Sequence, residues 1–157
     1  MKKIFTLLLI ITLLSSSITV FGETNSNILS TEIIYLTDDL YFEIYLTEDA
    51  SSSSTYATTQ TKSASKTYNL KNSDGDVLAK FKLTATFSYN SSTSSCTSVS
   101  HSTTIYDDAW EFKSASSSKS GKIATGNFTL KKYVLFICTQ TVTDSITITC
   151  DANGNLS

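Results

Sequence analysis

The strongest constraint on the fold of this chain is the stretch Val77–Tyr89, in which apolar and polar side chains alternate. Apolar residues occupy every second position, lysine, threonine and serine fill the others, and only Leu78 departs from the pattern. A period of two is typical of a β-strand with one face in a core and the other in water. The sequence therefore predicts a long, half-buried strand here.

The dipeptide Asp74-Gly75 lies just before this stretch and is a strong signal for a two-residue hairpin turn. Counting outward from the turn gives three cross-strand pairs, Asn72 with Val77, Leu70 with Ala79, and Tyr68 with Phe81. Apolar side chains then meet on one face, and a slip of one residue would separate them. We predict this register.

Residues 1–22 have the pattern of a secretory signal peptide. Lys2 and Lys3 precede an apolar run over residues 4–14, and the sequence Val20-Phe21-Gly22 fits a cleavage site. The run is shorter than the roughly 20 residues that a membrane span needs. No lipidation cysteine, apolar tail or sorting motif follows. We therefore expect a secreted, extracellular protein without a stable membrane anchor.

The charges of the chain exclude one class of partner. The sequence has 12 lysines, no arginine and 14 acidic residues, which leaves a net charge of -4 once the signal peptide is removed. Nucleic-acid binding needs a basic surface, and base or phosphate recognition commonly uses the bidentate arginine side chain. We therefore expect no nucleic-acid partner.

The charges also divide the secreted part into two regions of opposite sign. Residues 23–49 carry seven acids and no lysine, whereas residues 50–157 carry ten lysines and seven acids. The composition predicts an acidic β-hairpin segment over residues 23–49, a Ser/Thr-rich linker over residues 50–65 and a β-sandwich domain over residues 66–157.

The acidic segment has apolar side chains on both faces, among them Ile34, Leu36 and Phe42. One hypothesis is that it docks on the folded domain, near the outward-facing Lys80 and Lys82, and covers an edge strand. The alternative is a separately mobile, solvated arm, because surface charge attraction is screened at physiological salt. The sequence favours neither.

Further short strands are predicted in the C-terminal half, one of them beginning at Trp110 and Phe112 after Asp107-Asp108, and residues 114–120 are expected to form a loop. Apolar residues then keep one parity from Ala124 to Val142, and again from Ile146 to Cys150 after Asp144-Ser145. Both faces become apolar at residues 133–137, which predicts a central strand that is covered on both sides or crosses between the sheets. The fold expected is an all-β antiparallel β-sandwich of immunoglobulin-like topology, with a small β-barrel as the alternative.

Several segments together resemble a group of small secreted proteins from low-GC Gram-positive gut bacteria. They include KTYNLKNSDGDVLAKFKLTATFSYN, GKIATGNFTLKKY, QTVTDSITITC and the terminal NGNLS. The resemblance covers most of the secreted part and implies export and a β fold, but no particular chemistry. Cys96 and Cys150 match cysteines that recur in the group, whereas Cys138 is a departure.

Export permits cysteine oxidation, and Cys96 and Cys150 lie at a loop and at a strand end that a sandwich can bring together. We predict a disulfide between them. Cys138 is expected to be a buried thiol that packs as a small apolar residue. Trp110 is expected to be a core residue, packed near Phe81 or Phe128.

Candidate sites for chemistry are few. The three cysteines and His101 show no metal-ligand spacing, so no metal or other cofactor is predicted. A hydrolase would have to use His101 with Asp107 or Asp108, but adjacent acids do not provide the carboxylate separation of a glycosidase. His101 is expected to be a partly buried strand residue. Tyr106, Asp107 and Asp108 form a turn and a candidate ligand surface.

No catalytic constellation is therefore predicted. The leading expectation is a non-enzymatic extracellular interaction module whose partner is an unknown extracellular or cell-surface protein. A secreted toxin-like or antagonistic factor is the second class, and a hydrolase is the third. Self-association through edge strands is a further expectation.

Overall fold

The computed structural model describes residues 27–49 and 58–157. In these ranges the chain forms eight strands: β1 (Asn27–Thr37), β2 (Leu40–Asp49), β3 (Gln60–Asn72), β4 (Val77–Tyr89), β5 (Ser94–Ile105), β6 (Trp110–Ser120), β7 (Ile123–Val134) and β8 (Ile137–Thr149). The all-β class is confirmed. The same residues include no helix long and apolar enough to cross a membrane. The predicted signal peptide, residues 1–22, lies outside the described residues.

The strands form two antiparallel sheets, one of five strands in the order β1-β2-β3-β4-β5 and one of three in the order β6-β7-β8. Each described strand pairs with its neighbour in the chain, so both sheets are simple meanders. An immunoglobulin fold has Greek-key crossovers, and a closed barrel has a single sheet whose last strand pairs with its first. The antiparallel sandwich-like class is therefore supported, while neither finer topology is confirmed.

The hairpin predicted from the alternating stretch is present. β4 has the predicted bounds, and it pairs with β3 so that Leu70 faces Ala79 and Tyr68 faces Phe81. The pairing slips at the turn, where Lys71 and not Asn72 faces Val77. Asn72 instead holds the turn, because its side-chain Oδ1 accepts the Asp76 amide at 2.8 Å. Gly75 takes a φ of 89°, as a left-handed turn position requires.

The core lies between the two sheets and is centred on Phe128 of β7. Its ring contacts four other aromatic rings at centroid distances of 4.9–6.1 Å, those of Phe42, Tyr68, Phe81 and Phe112. The main chain of β7 also approaches β4 closely, since a Cβ at Gly126 would lie 2.9 Å from the Phe81 ring. Only glycine fits this contact between the sheets.

The acidic segment is part of the larger sheet. β2 pairs with β3 along its whole length, and Phe42 is 1% exposed, while Ile34 and Leu36 of β1 are partly buried against the core. The recorded ion pairs of the segment join Glu43 to Lys71 and Glu48 to Lys62, all on β2 and β3. It thus covers the β3 edge of the sheet, through pairing with β3 and not through Lys80 and Lys82. The described strands leave no separate arm, and residues 60–65 of the predicted linker belong to β3.

Two predictions for the C-terminal half are wrong. Residues 114–120 are not a loop, because they continue β6. Residues 133–137 are neither a covered central strand nor a crossing between the sheets, because the chain reverses there between β7 and β8. The apolar run is therefore a hairpin end in solvent. Its consequences are described below.

Trp110 is buried, with 3% of its surface exposed, which confirms that it is a core residue. The expected packing near Phe81 or Phe128 is met by another residue, since Phe112 is the β6 ring that contacts both. The ammonium of Lys132 lies 5.9 Å from the centroid of the Trp110 ring. Among the described residues, the Trp110 Nε1 has no hydrogen-bond partner.

Because of Tyr68, the free energy of unfolding depends on pH in the alkaline range. Burial, and then the charges of Asp144 and Glu32, raise the pKa of its phenol to about 12. The unfolded chain releases this proton near pH 10, so the stabilisation is complete below pH 10 and is lost as pH rises through 12. Urea unfolding of the protein should show a loss on the order of 2 kcal/mol over this window. Tyr68→Phe should remove that part of the loss, and an unchanged profile would contradict the assignment.

Candidate functional site

Four turns lie together at one end of the sandwich: three hairpin turns and the β5–β6 turn, which connects the two sheets. Main-chain hydrogen bonds connect them: the Ser73 amide donates to the Asp39 carbonyl at 3.1 Å, the Asp107 amide to Leu78 at 3.1 Å, and the Tyr133 amide to Ala109 at 2.7 Å. These bonds join the β1–β2 turn to the β3–β4 turn, the start of β4 to the β5–β6 turn, and that turn to the end of β7. The end is therefore one continuous surface.

Three of the four turns are acidic. Their aspartates are Asp38, Asp39, Asp74, Asp76, Asp107 and Asp108. With Glu111 they make seven carboxylates, against five lysines nearby on the flanking strands, Lys71, Lys80, Lys113, Lys131 and Lys132. The surface therefore carries an excess of negative charge.

The fourth turn is apolar. We call residues 134–137 the apolar tip; the exposed fractions of its side chains are 49% for Val134, 85% for Leu135, 100% for Phe136 and 68% for Ile137. Val134 and Ile137 form the last pair of the β7–β8 ladder, which leaves Leu135 and Phe136 as a two-residue turn. Isolated apolar residues are common on protein surfaces, whereas a contiguous exposed patch usually marks a binding site.

The backbone of the tip is strained. Leu135 has a φ of 48° and Phe136 a φ of 68°, the left-handed region at both central positions that a type I′ turn requires. Glycine and asparagine normally occupy these positions, because a Cβ there collides with the main chain. Strained residues of this kind cluster at functional sites. The tip thus combines conformational strain with full exposure of a large apolar side chain.

A depression of about 520 Å³ lies beside the tip. Its lining residues come from the β5–β6 turn, β6, β7 and the tip: Asp108, Glu111, Lys113, Tyr133, Leu135 and Phe136. The lining therefore combines apolar and aromatic groups with two carboxylates and one ammonium. The Lys113 ammonium already occupies part of this environment, 3.1 Å from Glu111 Oε1 and 5.6 Å from the centroid of the Tyr133 ring. Its hydrogen bond to Glu111, followed by that to Tyr133, raises the pKa of Lys113.

The predicted ligand surface at residues 106–108 lies at this end, and only Asp108 of the three lines the depression. Tyr106 is 55% exposed and its ring lies under the Lys80 ammonium, 5.7 Å from the centroid. Asp107 has a local role, because its Oδ1 accepts the Ala109 amide at 2.9 Å and holds the turn. The sequence reasoning did not identify the tip or Tyr133 as candidates. The apolar run Val134–Leu135–Phe136–Ile137 was the available signal, but it was interpreted as core.

His101 is exposed, not partly buried as expected. Its ring stacks on Phe81 with 5.6 Å between centroids, and its Nδ1 lies 3.0 Å from Ser117 Oγ. β5 continues for four residues beyond His101, about 13 Å at the rise of a strand. The acids of the β5–β6 turn therefore lie at a distance from the histidine. The structure does not bring together the His101, Asp107 and Asp108 set that a hydrolase would need.

The disulfide predicted between Cys96 and Cys150 is wrong, because all three cysteines are unpaired in the described part of the chain. The Cys96 and Cys150 amides do approach each other, since they donate to the adjacent Gly121 and Lys122 carbonyls. Their thiols, however, contact carbonyls of their own segments, at 3.2 Å for Cys96 and 3.5 Å for Cys150. Burial raises the pKa of both thiols. Cys138 is exposed and not buried as expected.

Within residues 27–49 and 58–157, no group of three or more histidine, cysteine or acidic side chains is arranged to hold a metal ion. The outer face of the smaller sheet has a shallow depression of about 360 Å³, lined mainly by serine, threonine and asparagine. Comparison of the chain with protein-family models, curated proteins and solved structures gives no match.

Proposed function

We propose that this protein is a secreted, non-enzymatic binding module that engages an extracellular or cell-surface protein through its apolar tip. The observation that carries the proposal is the turn at Leu135 and Phe136, which are 85% and 100% exposed and left-handed. Selection for stability alone favours Asn-Gly or a similar pair at this position. A strained apolar pair in solvent is instead suited to insertion into a partner.

The other parts of the proposal have separate support. Secretion is supported by the charged, apolar and cleavage-site pattern of residues 1–22. The resemblance to small secreted proteins of Gram-positive gut bacteria supports the same location. A non-enzymatic role is supported by the distance along β5 that separates His101 from Asp107 and Asp108.

The double substitution Leu135→Asn with Phe136→Gly tests this function. It replaces the apolar turn by the pair that a type I′ turn prefers, so the hairpin is retained while the apolar surface is lost. The free energy of unfolding should rise by about 2 kcal/mol, because each left-handed residue with a large side chain costs roughly 1 kcal/mol. Binding to a partner should fall at the same time.

The measurement combines urea unfolding with affinity capture from culture supernatant and cell-wall extract. A matched control is Tyr35→Thr, which removes an aromatic ring that is 74% exposed on β1, the edge strand of the other sheet. Partners that the native protein captures should be lost with the tip variant and kept with the Tyr35 variant. Equal capture by all three proteins would contradict binding through the tip.

A further inference from the structure

The depression beside the tip has the features of a site for a cationic, partly aliphatic side chain. Its lining combines the apolar and aromatic side chains of Tyr133, Leu135 and Phe136 with the carboxylates of Asp108 and Glu111. Lysine and arginine combine an aliphatic stem with a charged head, and they bury the stem on apolar surface while the head contacts acids. We propose that this depression receives a lysine or arginine side chain of the partner protein.

The position of Lys113 is independent support for this assignment. Its ammonium is bonded to Glu111 at 3.1 Å and lies over the Tyr133 ring, and all three residues line the depression. The depression therefore already accommodates an alkylammonium group on one side. The Asp108 carboxylate is exposed, and no hydrogen bond or ion pair from its side chain is recorded among the described residues. An incoming cation would pair with Asp108 and share or replace the Lys113 contact to Glu111.

The charge of the surrounding surface selects the kind of partner. Six aspartates lie on the three turns that share this end with the apolar tip. An anionic lipid surface would be repelled by these carboxylates, because the two carry charge of the same sign. A protein that presents a basic residue beside an apolar pocket matches both properties. The inference rests on the proposed function of the tip, and it adds the chemistry of the partner.

The test is a titration of the full-length, 15N-labelled protein, followed by amide chemical shifts. The probes are N-acetyl-arginine methylamide and its uncharged isostere, N-acetyl-citrulline methylamide. The arginine probe should shift the amides of Asp108, Tyr133, Leu135 and Phe136, with a Kd on the order of millimolar. The citrulline probe should bind at least about fivefold more weakly than the arginine probe, since it lacks the charge that contacts the carboxylates.

Two variants should change the affinity for the arginine probe in opposite directions. Asp108→Asn with Glu111→Gln should weaken the arginine probe about fivefold or more, because it removes both carboxylates. Lys113→Met should strengthen it by up to about fivefold, because it frees Glu111 from its internal cation and keeps an aliphatic stem. Asp74→Asn with Asp76→Asn is the matched control, since it removes two charges from a neighbouring turn that does not line the depression.

The outcomes separate this inference from the proposed function. Equal binding of the two probes, or an unchanged affinity after loss of Asp108 and Glu111, would overturn the basic-residue assignment. Shifts of the tip amides by vesicles of phosphatidylserine, or by raising the protein concentration alone, would also overturn it, in favour of a membrane or a second copy. If instead the arginine probe behaves as expected but the Asn-Gly tip variant still captures every partner, the depression is a site and the tip function is wrong.

Discussion

Replacing Phe128 with alanine should lower the free energy of unfolding by about 3–5 kcal/mol, the range for emptying a buried aromatic site. Phe128 is 1% exposed and contacts rings from β2, β3, β4 and β6. Its edge-to-face and stacked contacts contribute beyond the burial of apolar area. The loss should therefore loosen the attachment of both sheets, which urea unfolding would detect as a large fall in the midpoint.

The chain provides a matched control for this prediction. Phe136→Ala makes the same change of atoms at a side chain that is 100% exposed. Its effect on stability should lie within about 0.5 kcal/mol, as for other surface substitutions. Similar losses for the two variants would mean that the tip is packed in solution, and would contradict the exposed position described here.

The contrast between these two phenylalanines shows what the sequence could reveal. The β3–β4 hairpin was predictable, because Asp74-Gly75 and the alternation in β4 are local signals that agree. Its pairing was correct except beside the turn, where Asn72 bonds Asp76 and shifts the register. Local turn geometry decided that difference, and alternation alone does not encode it.

The β7–β8 hairpin was missed for a physical reason. A two-residue turn normally pairs even-numbered residues with odd-numbered ones, so apolar parity changes across it. Here the register shifts at Lys132 and Tyr133, and Leu130 of β7 therefore pairs with Val142 of β8. The core side chains therefore keep one parity on both sides of the turn. In the sequence, this pattern looks the same as that of a single continuous strand. No glycine, asparagine or aspartate marks the reversal.

The candidate site was predictable only in part. Asp108 was identified, because paired aspartates between strands indicate an exposed turn. Tyr133, Leu135 and Phe136 were assigned to the core on hydrophobicity, and their exposure depends on the location of the turn. Glu111 and Lys113 come from a strand whose end was interpreted as a loop. A site assembled from the β5–β6 turn, β6 and the β7–β8 hairpin depends on which strands are neighbours, and the local pattern of the sequence does not contain that information.

The sequence left open whether the acidic segment joins the sheet. Burial of the apolar side chains of β2 explains why it does. Four side chains of β2 point into the core and are 1–5% exposed: Leu40, Phe42, Ile44 and Leu46. Each contributes roughly 1.5–3 kcal/mol when it is removed from water. The Glu48–Lys62 pair lies on the surface, and exposed ion pairs contribute less than about 1 kcal/mol each. Apolar contact therefore holds the segment, with charge as a minor term.

Cutting the chain at a protease site introduced within residues 50–57 should leave the two fragments associated. The β2–β3 ladder and the Phe42–Phe128 contact, at 5.8 Å between centroids, remain intact after such a cut. Size-exclusion chromatography should show co-elution until denaturant is added. Phe42→Ala with Ile44→Ala should release the segment, whereas Glu43→Gln with Glu48→Gln should not.

The fragment 58–157 expressed alone should be insoluble or unfolded, because the burial lost on β2 is comparable with the whole stability of a small domain, about 5–15 kcal/mol. If that fragment is soluble and melts at the temperature of the intact protein, β1 and β2 do not complete the core.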